Sequence, residues 1–364
     1  MALGLVELMN QNPLIHVTST VVLTGIFYGA YLQMRKSFSR RLSVIPDHKK
    51  GTIQAVVITG CDSGLGYSLA LYCSDLGFKV VATVLEPDGP AAERLRELGC
   101  LVYKVDYTCQ NDVKQFANEI DALIRDSRDD WEIRALVNNA AVMMFGEFEW
   151  LLPKHVETHF EVNVLGPMKL TKELLPILRR DKSRLINVVS HCALEALPGL
   201  SVYSGTKSAM LGWNNALRVE LGKYGVKVVA FVPGSFIMES GLMRSQIKQF
   251  SEMHRSMKPE VQSFYNTGGY FDRYTDYLSA ISKIPDNKPR PLENPKVYQV
   301  FDSALLDEKP NAIYKCEPMR YQMYHTLFKY LPTFMRDKLV ERFMQMPAWN
   351  PSIRQVKALL TRKI

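Results

Sequence analysis

Gln54-Ala55-Val56-Val57-Ile58-Thr59-Gly60-Cys61-Asp62-Ser63-Gly64-Leu65-Gly66 sets a short apolar, β-rich run directly before a glycine-rich turn. The residues that follow, Leu69 to Leu76 (LALYCSDL), carry a helical pattern that stops at Gly77. Strand, glycine loop and helix in that order are the context in which a glycine pattern has meaning. Gly60 allows the sharp turn, Gly64 lets backbone approach a pyrophosphate, and Gly66 lets the helix sit close to the strand, whose partner helix then turns its N-terminus to the phosphates. The spacing is G-x-x-x-G-x-G and not G-x-G-x-x-G.

Outward from this unit, Lys79 to Val84, Leu101 to Val105, Ala135 to Asn138, Arg184 to Val189 and Lys227 to Val232 read as five further buried strands with helical stretches between them. Repeated βα units predict a parallel, doubly wound sheet of the Rossmann type, in one large α/β domain. The second strand ends on Val84 and Leu85, with Glu86 and Asp88 beyond it and no cation before Arg94, and Ser63 in the loop is uncharged. A ribose 2′-phosphate would meet acids there, so NAD(H) is expected rather than NADP(H). Asp106 ends the third strand, placed either to bond an adenine amino group or to cap the next helix. Asn138 and Asn139 follow the fourth strand, where side-chain amides can tie strand ends together. Asn163 in VNVLG falls mid-helix, where asparagine is a poor helix former, which predicts either a local kink or a solvent-facing residue.

Ser190 stands at the C-terminal end of the fifth strand, where open parallel sheets bind ligands. After a loop, HCALEALPGLS, comes Tyr203-Ser204-Gly205-Thr206-Lys207 in a helix expected from Val202 to about Tyr224. Four residues apart on one face, the Lys207 ammonium favours phenolate over phenol at Tyr203. A general acid and base would result. The sixth strand is stopped by Pro233-Gly234.

The ends of the chain differ in character. Leu14 to Met34 contains no Asp, Glu, Lys or Arg and is followed by Arg35, Lys36, Arg40 and Arg41. It is expected to span or lie on a membrane, with the basic flank and the domain on the cytosolic side. A mitochondrial presequence is the alternative. Residues 241–295 interleave Met, Tyr and Phe with basic residues and are expected to cap a pocket, Phe250, Met253 and Met257 sharing one helical face as a lid or ordinary core packing would require. The tail from Met319, rich in aromatic residues, Arg and Lys, is expected to be helical, packed on the domain or lying on a membrane. The organisation is thus 1–50 anchor and linker, 51–318 main domain, 319–364 tail. A net charge of +8 over 364 residues is concentrated near the ends, which fits an acidic membrane surface better than nucleic acid. Six cysteines without C-x-x-C spacing or a His cluster point to neither a metal nor disulfides.

TGCDSGLG, VNNAA, Asn163, Ser190 and YSGTK, in this order and spacing, resemble the short-chain dehydrogenase/reductases over about residues 52–240. TGCDSGLG, VLEPDGP, PGSF and the KYLP-containing tail are similar to the membrane-associated retinol and 17β-hydroxysteroid dehydrogenases, and 3-hydroxybutyrate dehydrogenase is also close. The resemblance implies an NAD-dependent alcohol/ketone oxidoreductase with a lipophilic steroid or retinoid substrate, at the endoplasmic reticulum membrane, with no nucleic acid partner and a homodimer as the expected assembly. Carried over, Tyr203 is the acid/base, Lys207 its partner and a ribose ligand, Ser190 the orienter of substrate oxygen, and Asn163 the anchor of a water relay. Cofactor contacts would come from Gly60, Asp62, Ser63, Gly64, Leu65, Gly66, Val84, Asp106, Asn138, Ala140, Tyr203, Lys207, Pro233, Gly234 and Phe236. Two departures stand out: Ala141 replaces a glycine, and the threonine common after Pro-Gly is missing. They support the rival reading of a non-catalytic NAD(H)- or sterol-binding membrane protein; for the substrate, a small hydroxy acid is the alternative, since Arg244, Lys248, His254 and Lys258 could pair with its carboxylate.

Overall fold

The computed structural model describes residues 52–127, 130–234, 241–282 and 289–349. The expected anchor, Leu14 to Met34, lies outside them, as does Phe236. Among the described residues no helix is long and apolar enough to cross a membrane.

The sequence folds as alternating strands and helices: β1 (Thr52–Ile58), α1 (Gly64–Asp75), β2 (Lys79–Val84), α2 (Pro90–Glu97), β3 (Leu101–Lys104), α3 (Gln110–Asp126) and β4 (Asp130–Asn138). After β4 come α4 (Pro153–Phe160), a π-helical turn (Glu161–Leu165), α5 (Gly166–Arg180), β5 (Arg184–Val188), α6 (Ser201–Gly222) and β6 (Lys227–Pro233). The capping region holds α7 (Gln246–Ser256), α8 (Pro259–Asn266) and α9 (Tyr270–Ser282); α10 (Pro295–Leu306), β7 (Ile313–Cys316), α11 (Met319–Tyr330) and α12 (Thr333–Met344) complete the described chain.

All pairings in the seven-stranded sheet are parallel, in the order β3-β2-β1-β4-β5-β6-β7. The strand order reverses between β1 and β4, the switch point beside which doubly wound sheets bind ligands. The central strands are buried on both faces, as crossover helices require. On one face Val57, Val81, Leu136 and Leu185 pack against Phe116 and Ile120 of α3 and Leu170 and Leu174 of α5. On α1 the Tyr72 hydroxyl donates to Asp302 of α10 at 2.9 Å. Arg184, buried in β5, donates to the carbonyl of Ala304 at 2.6 Å.

The seventh strand is an addition to the six expected. It pairs four residues with β6, Ala230 opposite Ile313 and Pro233 opposite Cys316. Its C-terminal end therefore delivers α11 and α12 to the same edge of the sheet as the glycine loop.

Phe250, Met253 and Met257 do share a buried face, but it packs on Trp150, Phe271 and Tyr274 in an aromatic core inside the cap. Phe328 of α11 and Val340 of α12 enter that core too, so one side of the tail packs on the domain.

Candidate active site

The C-terminal ends of the strands open onto a cavity of about 690 Å³. Gly60, Asp62, Ser63, Leu65, Gly66, Val84, Asp106, Ala140, Ser190, Tyr203, Lys207, Pro233 and Gly234 are on its wall, whereas Gly64, Asn138 and Asn163 are not.

The glycine loop is built as its spacing suggests. Gly60 has φ of 70° and Gly64 φ of 57°, both in the left-handed region where a side chain is strained. A Cβ on Gly66 would lie 2.3 Å from the Gly60 carbonyl oxygen and 2.4 Å from the Asn139 amide nitrogen, so α1 can approach β1 this closely only without one. The Thr59 hydroxyl accepts from the amides of Asn139 and Ala140, both at 2.9 Å, and the Asn139 side chain donates to the Thr59 carbonyl at 2.7 Å. Asn139 thus ties β1 to β4 beneath the loop. Asn138 turns away from the cavity, donating to Asn187 at 2.9 Å and Thr171 at 3.1 Å and holding the sheet to α5.

Asp62 reaches across to the end of β2, where its carboxylate accepts from the amides of Leu85 (2.9 Å) and Glu86 (2.9 Å). The carboxylate bonded to that strand end is therefore Asp62, one of the cofactor contacts the resemblance implies, and not Glu86 or Asp88. Asp106 neither caps α3 through its side chain nor stands free: it accepts from the Thr108 amide and hydroxyl at 2.9 and 2.7 Å while lining the cavity. The Ser63 hydroxyl accepts from the Gly241 amide at 3.0 Å. That bond brings the chain after β6 over the loop, and Arg244 with it: a Cβ on Gly241 would lie 2.6 Å from Ser63 Oγ and 3.9 Å from Arg244 Cζ. Arg244, exposed at the cavity rim, is thus a neighbour of the glycine loop that the sequence around Ser63 does not reveal.

Asn163 sits in the π-helical turn, a local departure often found at functional sites. Its Oδ1 accepts from the Val142 amide (2.8 Å), and its Nδ2 donates to the Val142 carbonyl (2.9 Å) and the Thr206 hydroxyl (3.1 Å). The side chain therefore clamps the loop after β4 to α6, one residue short of Lys207. Of the two readings of this asparagine, the kink is the one found; the side chain is buried.

Tyr203 and Lys207 are both buried, the Lys207 ammonium 5.8 Å from the centre of the Tyr203 ring and donating to the Val188 carbonyl at 3.1 Å. Burial holds the Tyr203 phenol well above its ordinary range, the Cys192 thiol adds to this, and a hydrogen bond from Ser190 opposes it. Burial also brings Lys207 down to about 8, with Cys192 pulling the other way. At this site desolvation outweighs the attraction expected of the pair from its helical spacing. Ser190 Oγ also accepts from the Cys192 amide at 3.1 Å, which orients the hydroxyl at the end of β5.

Of the rest of the wall, the sequence indicated a contribution from residues 241–295 but not which side chains make it. Met143, Phe145, Leu197 and Leu200 form the wall near Tyr203, and Leu242, Tyr277 and Leu278 come from the cap. Tyr321, Phe343, Met344 and Met346 come from the tail. His191, next to Ser190, packs on Tyr321 (5.2 Å) and stacks on His325 (6.0 Å), and burial keeps its imidazole neutral by drawing it down to about 4. Glu195 in the same loop is buried and ion-paired with Arg336 of α12. The two lining arginines, Arg244 and Arg320, are exposed.

Residues 54–249 match the family model for short chain dehydrogenase. The chain is 31% identical over 312 residues to 17-beta-hydroxysteroid dehydrogenase type 2 of Homo sapiens, covering 82% of this chain and 78% of that one. It is 30% identical over 309 residues to 11-beta-hydroxysteroid dehydrogenase type 2 of Oryctolagus cuniculus, covering 83% and 73%. With the mitochondrial D-beta-hydroxybutyrate dehydrogenase of Rattus norvegicus it shares 32% identity over 231 residues, covering 60% and 65%. A solved short-chain dehydrogenase from Streptomyces avermitilis has the same fold, with a TM-score of 0.58 at 22% identity over 80% of this chain and 97% of that one. A family match over more than half the chain, on a sheet of this order, leads to one conclusion: the chain belongs to the short chain dehydrogenase family and is an oxidoreductase.

Proposed function

We propose that this oxidoreductase interconverts a secondary alcohol and a ketone on a steroid, with NAD(H) as cofactor. The observation that carries the reading is one cavity whose wall joins the glycine loop to Ser190, Tyr203 and Lys207 and then continues into apolar residues of the cap and tail. The fit to a dinucleotide rests on the cradle that a Cβ at Gly66 would fill, on the left-handed glycines and on the buried N-terminus of α1. Bound there, NAD(H) supplies or accepts the hydride. Tyr203 takes the carbinol proton in oxidation and gives it back in reduction, Ser190 holds the substrate oxygen, and Lys207 supports the phenolate and bonds the ribose. Asn163 fixes the Val142 loop against α6, and Arg244, near the glycine loop, would be available to a cofactor phosphate.

The apolar wall favours a steroid over a small hydroxy acid. A carboxylate substrate needs a fixed, desolvated cation to itself; among the described residues the arginines on this wall are exposed, and the buried Lys207 is engaged with the Val188 carbonyl beside Tyr203. The long alignments to hydroxysteroid dehydrogenases support the same choice; a retinoid would suit the apolar wall but has no such support. Family membership and the complete Asn163, Ser190, Tyr203, Lys207 set leave the non-catalytic carrier unfavoured. Purified protein with NAD and matched panels of hydroxysteroids, retinols and 3-hydroxybutyrate tests the reading. NADH formation is expected with a hydroxysteroid; far more efficient turnover of 3-hydroxybutyrate than of every steroid would overturn it. The uncharged Leu14 to Met34 run with its basic flank supports a membrane anchor and a cytosol-facing domain, at the endoplasmic reticulum.

Cofactor choice follows from Asp62. A carboxylate at the end of β2 accepts a ribose hydroxyl and repels a 2′-phosphate. Asp62→Asn keeps one acceptor oxygen, which can take both the Leu85 and Glu86 amides as Oδ1 does, and removes the charge. The ratio of NAD to NADP affinity is expected to fall by about tenfold, or 1.4 kcal/mol. Titration of both dinucleotides against both proteins checks it; an unchanged ratio would place discrimination elsewhere.

A further inference from the structure

The tail has two faces. The inner face lines the cavity through Tyr321, Phe343 and Met344 and anchors in the cap core through Phe328 and Val340. The outer face is apolar and exposed: Met319 (76% exposed), Met323, Leu327 and Tyr330 (74%) follow at helical spacings along α11, and Phe334 (69%) and Met335 continue at the start of α12. Among the described residues, seven of the fifteen large apolar side chains left exposed lie between Met319 and Trp349, so the exposure is concentrated. A patch of this kind on a soluble surface marks a contact.

The charge around it says which contact. Between Met319 and Met344 there are five cations, Arg320, Lys329, Arg336, Lys338 and Arg342, against Asp337 and Glu341. Arg336 is engaged with Glu195, whereas Lys329 and Lys338 are exposed beside the apolar stripe. Residues 350–364 add four cations and no acid. Apolar side chains fringed by lysine and arginine match the boundary between acyl chains and anionic headgroups. A protein partner would need acids facing these cations, and a second copy would bring cations against cations.

We propose that the outer face of α11 and α12 docks on an anionic phospholipid surface and sets the mouth of the substrate cavity against it. The inference rests on the reading of a lipophilic substrate: the helices that would lie on the lipid are the ones whose other side walls the cavity, so substrate dissolved in the bilayer reaches Tyr203 without crossing water. It does not depend on the N-terminal segment.

The test uses the full chain, with Cys109→Ser throughout because the other native cysteines are buried. One environment-sensitive thiol label is placed by Met323→Cys or Phe334→Cys, and at a control site by Lys114→Cys on exposed α3. The protein is reconstituted in phosphatidylcholine vesicles with and without phosphatidylserine. Labels at 323 and 334 are expected to be quenched by lipid-borne nitroxide and shielded from aqueous iodide, more so with phosphatidylserine, while the label at 114 shows the reverse. Lys329→Glu with Lys338→Glu should abolish the phosphatidylserine dependence. Met323→Glu with Phe334→Glu should raise the apparent KM for vesicle-borne steroid about tenfold and leave kcat unchanged. Tail labels open to iodide would overturn the proposal. So would labels shielded from both quenchers, which would mean that a second copy or the N-terminal segment covers the face. The quenching result stands whether or not a steroid is turned over, so failure of the docking surface and failure of the substrate reading are told apart.

Discussion

Tyr203→Phe is expected to lower kcat for hydroxysteroid oxidation by about three to four orders of magnitude, the upper range for loss of a positioned acid/base. NADH affinity should stay close to that of the unchanged protein. The phenyl ring fills the same buried volume beneath the Lys207 ammonium, and the changes are loss of the phenol and of its hydrogen bond with Ser190. Cys192 is also on the wall and interacts with Ser190 and Lys207, but burial pushes its thiol up to about 11, away from proton exchange at neutral pH. His191 is adjacent in sequence, but its ring is packed between Tyr321 and His325 and held neutral by burial. Steady-state kinetics in both directions, with NADH binding followed by fluorescence, separate chemistry from binding. Turnover within about tenfold of the parent would remove Tyr203 from the reaction.

The parts of this molecule that could be read from its sequence are those built from contacts close along the chain. The β1, glycine loop and α1 unit was legible because Gly60, Gly64 and Gly66 each answer a local backbone demand. Asn163 was legible as a misfit in a helix, and the misfit is the π-helical turn. What escaped depends on pairing at a distance. β7 is four residues between Asn311 and Pro318 with no strong pattern of its own, and it exists because β6 offers it an edge. With β7 hidden, the tail had no visible reason to lie over the cavity. Phe250, Met253 and Met257 show a different limit: periodicity identified a buried face but not what it is buried against, which is Trp150 and its aromatic neighbours. Asp62 shows a third, since its spacing in the loop gives no sign that its carboxylate reaches the amides at the end of β2.

Lys207→Met is expected to move activity and stability in opposite directions. Activity falls by about a hundredfold or more, because Tyr203 loses the cation that supports its phenolate. Stability near neutral pH rises. In the folded chain Lys207 titrates at about 8 against an ordinary 10.5, with burial as the leading cause. The unfolded chain therefore holds more protons between those values, so this group lowers stability below about pH 8 and the deficit fades as pH rises toward 10.5. The full deficit corresponds to about 3 kcal/mol at neutral pH. Methionine removes it, and the Val188 carbonyl loses its lysine donor at a cost of about 1 kcal/mol. A net gain of about 2 kcal/mol at neutral pH should appear in denaturant unfolding, shrinking or reversing near pH 10. An advantage that is the same at both pH values would show that packing, and not the buried charge, is what the substitution changes.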